Sequence, residues 1–431
     1  MKRKNKRIIF LVLSIEAIAV LIIFTMVILK GKVSFRTIEA MEGSNLQTEN
    51  QIEGLPEELP GNPDSEEAEV KQDQKDIITY NGNIDNIDNN QDKDITEDMD
   101  NSETKDSTEN KDSIDNIDNT VNIEESNITE DVYDTIVISA AGDVTLGRDL
   151  NFGYERSFDH EFELQENDYS YFFQNVKHIF EKDDITIVNL ETTLTTANKP
   201  AEKKFRFKAD PSYVEILRAG DIEAVSIANN HSHDYLEQGY VDTLKTLDSG
   251  DIGYFGYEHR YIKEVRGIKI GIAGFVSWEV SENQKDEIGQ AIDDLREKGA
   301  DIVIFMFHWG IERDYSANSV QKELAHYTID RGADLILGSH PHVLQEIEEY
   351  NGKNIVYSMG NFSFGGNKNP SDKDSMVYVH RFNFKNGVMD SQESEAIPCS
   401  ISSVQHRNNY QPTPLEGEEK DRVLGKIIKS K

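Results

Sequence analysis

From Thr135 onward, short apolar runs alternate with amphipathic stretches, and each apolar run ends in a polar cluster. TIVISAAGD (135–143), DITIVNLE (184–191), EAVSIANNH (223–231), DIVIFMFHWG (301–310) and ADLILGSHPH (333–342) read as strands buried on both faces. The stretches at 212–220, 236–250, 289–299 and 318–332 carry helical spacing, and each ends at a glycine, the residue that most readily closes a helix. Three further segments predict hairpins. They turn at Arg266-Gly267, Asn351-Gly352 and Asn386-Gly387, the latter two being Asn-Gly pairs suited to a type I′ turn. Helices alternating with strands predict an α/β layered fold, and the hairpins make its sheets mixed.

The polar residues that close the strands are potential metal ligands: Asp143, Glu191, Asn230 beside His231, His308, and then His340 and His342 in LGSHPHVLQ. Open α/β sheets gather their ligands at the carboxyl ends of strands, where the following loops converge. A single strand-ending Asp or His is commonplace, as a helix cap or a core imidazole bonded to a carbonyl. Their recurrence at successive strand ends predicts one shared site. Carboxylate, amide oxygen and imidazole together suit Mn, Fe or Zn rather than Ca, and a bridging carboxylate, for which Glu191 is the candidate, would allow one or two ions.

Residues 1–134 have a different character. MKRKNKR precedes a nearly unbroken apolar run, 8–29, long enough to span a hydrocarbon core of about 30 Å as a helix. Basic residues ahead of it predict a cytoplasmic tail at 1–7 and an extracellular remainder, in a single-pass cell-membrane protein. A cleaved signal peptide is the rival, disfavoured by the length of the run and the lack of a small-residue cleavage site. Glu16 in the run marks either a partner helix or a protonated or snorkelling side chain. Residues 30–134 predict a disordered linker: its segment 41–134 has 29 acidic and 5 basic residues and little to bury. A coil of that length spans on the order of 50–60 Å, enough to act as a spacer through a cell wall. The chain carries a net charge of −35, of which −17 remains for residues 135–431. That acidity gives no electrostatic footprint for nucleic acid. Cys399 is the single cysteine, so the domain rests on its core rather than on a disulfide.

GDVTLGR (142–148), NLETTLT (189–195), NNHSHDY (229–235), HWGIE (308–312), GSHPH (338–342) and SMGNFSF (358–364), in that order, resemble the CapA family, implicated in poly-γ-glutamate capsule synthesis and a branch of the calcineurin-like metallophosphoesterase superfamily. The resemblance spans 135–405 and leaves 406–431 as a C-terminal tail. It implies a four-layer αββα sandwich with mixed sheets, and a tethering N-terminal helix. It also implies roles: Asp143 on a first metal, Glu191 as the bridge, Asn230, His308 and His340 on a second metal, His342 returning to the first, and His231 as the acid near the leaving group. Thr145 departs from the pattern, standing where the superfamily usually has a His. His233 would replace that ligand or lie outside the ligand set.

Asp234 is placed to orient His231, because a working imidazole needs a carboxylate or carbonyl on its second nitrogen. Arg148 is a candidate for a substrate carboxylate or phosphate. Lys203, Lys204, Arg206 and Lys208 form a basic stretch that is either a solvated strand face or a guide for a polyanion, with Lys208 the residue assigned to substrate. His160, His259, His326, His380 and His406 have no convergent context. The expected function is a metal-dependent hydrolase or transferase acting on poly-γ-glutamate, in company with membrane subunits of a capsule synthesis complex. The alternatives are a non-catalytic polymer-binding accessory subunit and a generic extracellular phosphoesterase.

Overall fold

A computed structural model describes residues 131–428. The expected anchor at 8–29, the cytoplasmic tail and nearly all of the linker lie outside the described residues. Among the described residues no helix is long and apolar enough to cross a membrane.

Two sheets carry the fold. In spatial order the path of the eight-stranded sheet runs Thr413–Pro414, Val388–Ser400, Asp374–Lys385, Tyr133–Thr145, Ile185–Leu190, Ala224–Ser226 and Gly253–Phe255, and Asn361–Phe364 pairs with Tyr133–Thr145 off that path. The six-stranded sheet runs Ile347–Tyr350, Lys353–Val356, Leu335–Ser339, Ile302–Trp309, Ile268–Ser277 and Tyr261–Val265. Both are mixed: the strands that end at the candidate ligands are parallel to one another where they pair, while Tyr133–Thr145 is antiparallel to Asp374–Lys385 on its other side and the hairpin strands are antiparallel.

The period of two along each strand sorts the core. Ile136, Ile138 and Ala140 from one sheet meet Ile302, Ile304 and Met306 from the other in a core between the sheets. The alternate residues Val303, Phe305, Phe307 and Trp309 face outward, against helices Glu282–Glu297 and Ser319–Arg331. On the far side Ala141 and Val144 pack with Val188, Val225 and helices Phe158–Leu164, Val214–Ala219 and Leu236–Ser249. The result is a helix–sheet–sheet–helix stack, in which the central strands have no polar face. This explains why their sequences read as continuous apolar runs.

The three hairpins turn where expected, with positive φ at both central residues of each: Arg266 and Gly267, Asn351 and Gly352, Asn386 and Gly387. Two elements differ from expectation. The strand expected over 223–231 ends at Ser226, because Asn229 folds its amide back onto Leu190 O and Asn189 Oδ1 and cannot continue the ladder. The helix expected at 289–299 begins at Glu282, where Ser281 Oγ accepts from the Gln284 N–H as an N-cap.

The segment read as a tail contains buried Asn408, Asn409 and Tyr410 and a helix, Gly417–Ile427, whose Val423 and Ile427 enter the core between the sheets. Arg422 binds both carboxylate oxygens of Asp374, at 2.6 and 2.7 Å, and fastens that helix to the sheet.

Where the candidate ligands lie, main chain crosses from one sheet to the other through Tyr357–Gly360. Asp143 N donates to Gly360 O at 2.9 Å, and Met359 N to Gly338 O at 3.1 Å. A Cβ on Gly142 would fall 1.8 Å from Gly360 O, and one on Gly338 would fall 2.0 Å from Tyr357 O. Only glycine permits that approach.

Candidate metal centre

Three overlapping sets of side chains have ligand atoms within 4.8 Å of one another: Asp143, Glu191 and His342; Glu191, His308 and His340; Glu312, His340 and His342. Glu191 is common to the first two, the position a bridging carboxylate takes. It follows the Ile185–Leu190 strand directly, and its N–H donates to Val144 O at 2.9 Å, so the neighbouring strand sets its place. Both Glu191 carboxylate oxygens are buried without a hydrogen-bond partner, as is His340 Nδ1. Glu191 Oε1 lies 3.7 Å from His308 Nε2 and 4.0 Å from the Nε2 atoms of His231 and His342. Buried polar atoms normally have partners, so a cluster of orphans facing one another fits a cation.

The electrostatics agree. Burial, followed by the nearby Asp143 charge, pushes the Glu191 carboxyl well above the usual range. Burial pulls His308 and His340 well below the usual imidazole value, which leaves both neutral and able to donate a lone pair. Burial works the same way on His342, but the Glu191 and Asp143 carboxylates outweigh it and hold the ring up to about 10. A proton on His342 thus stands where a cation's charge would be shared.

Asn230 Oδ1 approaches His308 Nε2 at 2.9 Å, so both residues assigned to the second metal point at one place. His342 Nδ1 lies 3.2 Å from Asp143 Oδ2 and 2.9 Å from Asn361 Oδ1. His340 and His342 adopt φ values of 95° and 56°, which hold both rings in a left-handed bend around Pro341. Residues other than glycine rarely keep such angles unless their surroundings impose them. Trp278 packs edge-on against both His308 and His340, with ring centres 5.9 and 4.5 Å away.

Behind the candidate ligands a second chain of contacts fixes His231. His231 Nδ1 is 2.7 Å from Asp234 Oδ2, and Phe207 N–H donates to the same oxygen at 2.5 Å. Lys203 Nζ lies 2.7 Å from Asp234 Oδ1 and donates to Asn230 O at 2.7 Å. Burial disfavours the Asp234 charge, yet His231 and Lys203 outweigh it and hold the carboxyl below its usual range. Asp234 therefore keeps a proton on His231 Nδ1 in both the neutral and the charged ring, and Nε2 is turned toward the ligands.

Of the residues expected in the site, the structure thus brings together Asp143, Glu191, Asn230, His231, Asp234, His308, His340 and His342. Lys208 lies elsewhere: its ammonium donates to Ala197 O at 2.5 Å and sits over the Tyr235 ring. Arg148 lines the cleft, but its Nε is bound to Asp159 at 2.9 Å. His233 stacks on Tyr240 with ring centres 4.5 Å apart, outside the three ligand sets, and so does not replace the missing imidazole. Thr145 is buried at that position, its Oγ1 without a hydrogen-bond partner.

Sequence reasoning missed four residues. Asn189 donates to Asp143 Oδ1 at 2.8 Å, Asn229 donates to Asn189 Oδ1 at 3.1 Å, Asn361 meets His342, and Glu312 joins His340 and His342. All four fall in the motifs that carry the resemblance, each beside or near a residue that drew attention first. The ligands open into a cleft of about 610 Å³ that reaches His231, His342, Glu312 and Asn361.

Residues 137–366 match the family described as bacterial capsule synthesis protein PGA_cap, and the chain belongs to that family. It is 32% identical over 302 residues to the PGA biosynthesis protein CapA of Bacillus subtilis, an alignment covering 64% of this chain and 76% of that one. It is 26% identical over 286 residues to the capsule biosynthesis protein CapA of Bacillus anthracis, covering 60% and 67%. Among solved structures, a novel phosphatase from Mycoplasma pneumoniae aligns over 62% of this chain and 95% of its own, with 14% identity and a TM-score of 0.37.

Proposed function

We propose that this chain is a metal-dependent hydrolase or transferase of the metallophosphoesterase type, anchored in the cell membrane through residues 8–29, which acts outside the cell on poly-γ-glutamate. The observation that carries the catalytic part is the buried Glu191 carboxylate, both oxygens unpartnered, among His308, His340, His342 and Asp143. The polymer is supported by the family and by the B. subtilis relative, described as a PGA biosynthesis protein. The anchor and the extracellular placement rest on the apolar run and its basic flank.

Asp143, Glu191 and His342 would hold one divalent ion, and Glu191, Asn230, His308 and His340 a second. Bound there, Mn, Fe or Zn would supply Lewis-acid polarisation of the scissile group and a lowered pKa for water. The chain's own residues do the rest. His231 would act in its doubly protonated form, with Nδ1–H given to Asp234 and Nε2–H at the cleft transferred to the leaving group, which leaves the neutral Nδ1–H ring behind. Lys203 keeps Asp234 charged and aimed. Phe207 packs against the His231 ring and Trp278 edge-on against His308 and His340, which keeps these imidazoles buried.

The test is the full chain loaded with Mn, assayed against poly-γ-glutamate and an aryl phosphate. Turnover of either that falls with His231→Ala supports the catalytic reading. Bound metal without turnover of either overturns it. A second reading, a non-catalytic polymer-binding accessory subunit, draws support from the Mycobacterium tuberculosis relatives, described as probable polyglutamine synthesis accessory proteins, and from Thr145 in place of an imidazole. On that reading His231→Ala leaves capsule output unchanged.

A further inference from the structure

Exposed apolar surface on this domain is concentrated in one place. Of ten large apolar side chains exposed among the described residues, Phe152 and Tyr315 line the cleft, and Leu150, Tyr154 and Ile311 stand within two residues of lining positions on the same two segments. Inside, the aromatic surface is continuous. Phe207 packs on His231 and Phe364 on His342, with ring centres 4.2 and 4.9 Å apart, and the two Phe rings meet edge to face at 6.2 Å. Further out, Phe205 and Phe152 lie 5.8 Å apart and line the same wall, with Tyr315 also on the lining.

The cleft's cations are occupied differently from what a polyanion site requires. Arg148 is bound to Asp159 Oδ2 at 2.9 Å and to Phe152 O at 3.0 Å. Lys368 donates to Gly153 O and, at 2.9 Å, to Glu155 O. Both therefore fasten the 149–155 loop that presents Phe152. Arg313 shares the lining with two carboxylates, Glu312 and Asp372. Residues 135–431 carry a net charge of −17, so their long-range field repels a polycarboxylate.

We infer that the outer cleft grips its polymer by the backbone, stacking planar amides and the short methylene spacers of a γ-linked chain on Phe152 and Phe205, with the carboxylates turned to solvent. Aromatic faces suit such a ligand because an amide plane and a methylene run both pack flat on a ring. The inference rests on the proposed polymer.

Its test is calorimetric binding of poly-γ-glutamate oligomers to the full, Mn-loaded chain at 50 and 500 mM NaCl, comparing wild type with the F152A/F205A double variant. Metal content and thermal melting of both are checked alongside. The expected result is affinity that holds or rises with salt, as screening relieves repulsion, and falls at least tenfold in the double variant. Affinity that collapses with salt while the folded, metal-loaded double variant binds like wild type overturns the inference and leaves the polymer standing. Absence of wild-type binding at both salt concentrations overturns the polymer itself and the inference with it.

Discussion

Asn189 donates its side-chain amide to Asp143 at 2.8 Å, so the first carboxylate of the centre is aimed by a neutral neighbour one strand away. The same nitrogen is 3.3 Å from His308 Nδ1, which places Asn189 between the two halves of the ligand set. Outer partners of this kind commonly carry a factor of about 10–100 in metal affinity. Asn189→Ala is expected to weaken binding by that amount, measured by competition with a chromogenic chelator. Unchanged affinity would remove Asn189 from the centre.

Glu191 gives a prediction with opposite signs in two states. Without metal its charge is buried beside Asp143, and burial raises its pKa. Glu191→Gln is therefore expected to melt higher than wild type after chelation. With metal at roughly 100 times its dissociation constant the wild type gains about 2.7 kcal/mol, on the order of 5 °C in melting temperature for a domain of this size. The variant is expected to lose that gain. Differential scanning calorimetry with and without chelator measures both.

His231, Asp234 and Lys203 act as a unit, and leaving-group chemistry separates their effect from metal binding. For poor leaving groups His231→Ala is expected to cost about 10²–10⁴ in turnover. Lys203→Met, which removes the ammonium that holds both Asp234 and the Asn230 carbonyl, is expected to cost roughly 10–100. Good leaving groups need less protonation, so both losses shrink with p-nitrophenyl esters. An equal loss across the series would assign these residues to folding or metal retention instead.

A stability effect is expected away from the centre. His380 is fully buried, and burial pulls its pKa down to about 4, although Gln392 Oε1 accepts from its ring at 2.9 Å. Unfolded, an imidazole titrates near 6.5. Between about pH 6.5 and 4 the unfolded chain thus binds a proton that the folded chain refuses, and stability rises with pH in that window. The full effect is on the order of 3 kcal/mol, present above pH 6.5 and lost as the pH falls toward 4. His380→Leu is expected to flatten this part of the profile of urea midpoint against pH. A slope unchanged in the variant would assign it to other groups.

Much of this was legible because local chemistry and fold agree. Gly at helix ends, Asn-Gly turns and apolar runs ending in Asp, Glu or His each report a local event, and each was found near its expected place. What escaped needed long-range contacts. Asn189 lies inside an apolar strand and looks like a ladder residue until Asp143 is beside it. Lys208 looks like its basic neighbours in sequence, and only the fold separates it, engaged with Ala197 O, from Lys203, engaged with Asp234. The helix 417–427 is mostly charged, and its two core residues, Val423 and Ile427, are too few to announce burial without the sheets they enter.

The crossing at Tyr357–Gly360, clasped by Gly142 and Gly338, has one more implication. The first carboxylate and the imidazoles belong to different sheets, and their separation is gauged by bare peptide lying on bare peptide. A methyl group added at either glycine would act as a wedge, and is expected to change how many ions the proposed centre holds while leaving every candidate ligand atom chemically intact. On the proposed centre, ion stoichiometry is expected to depend on positions that have no side chain to contribute.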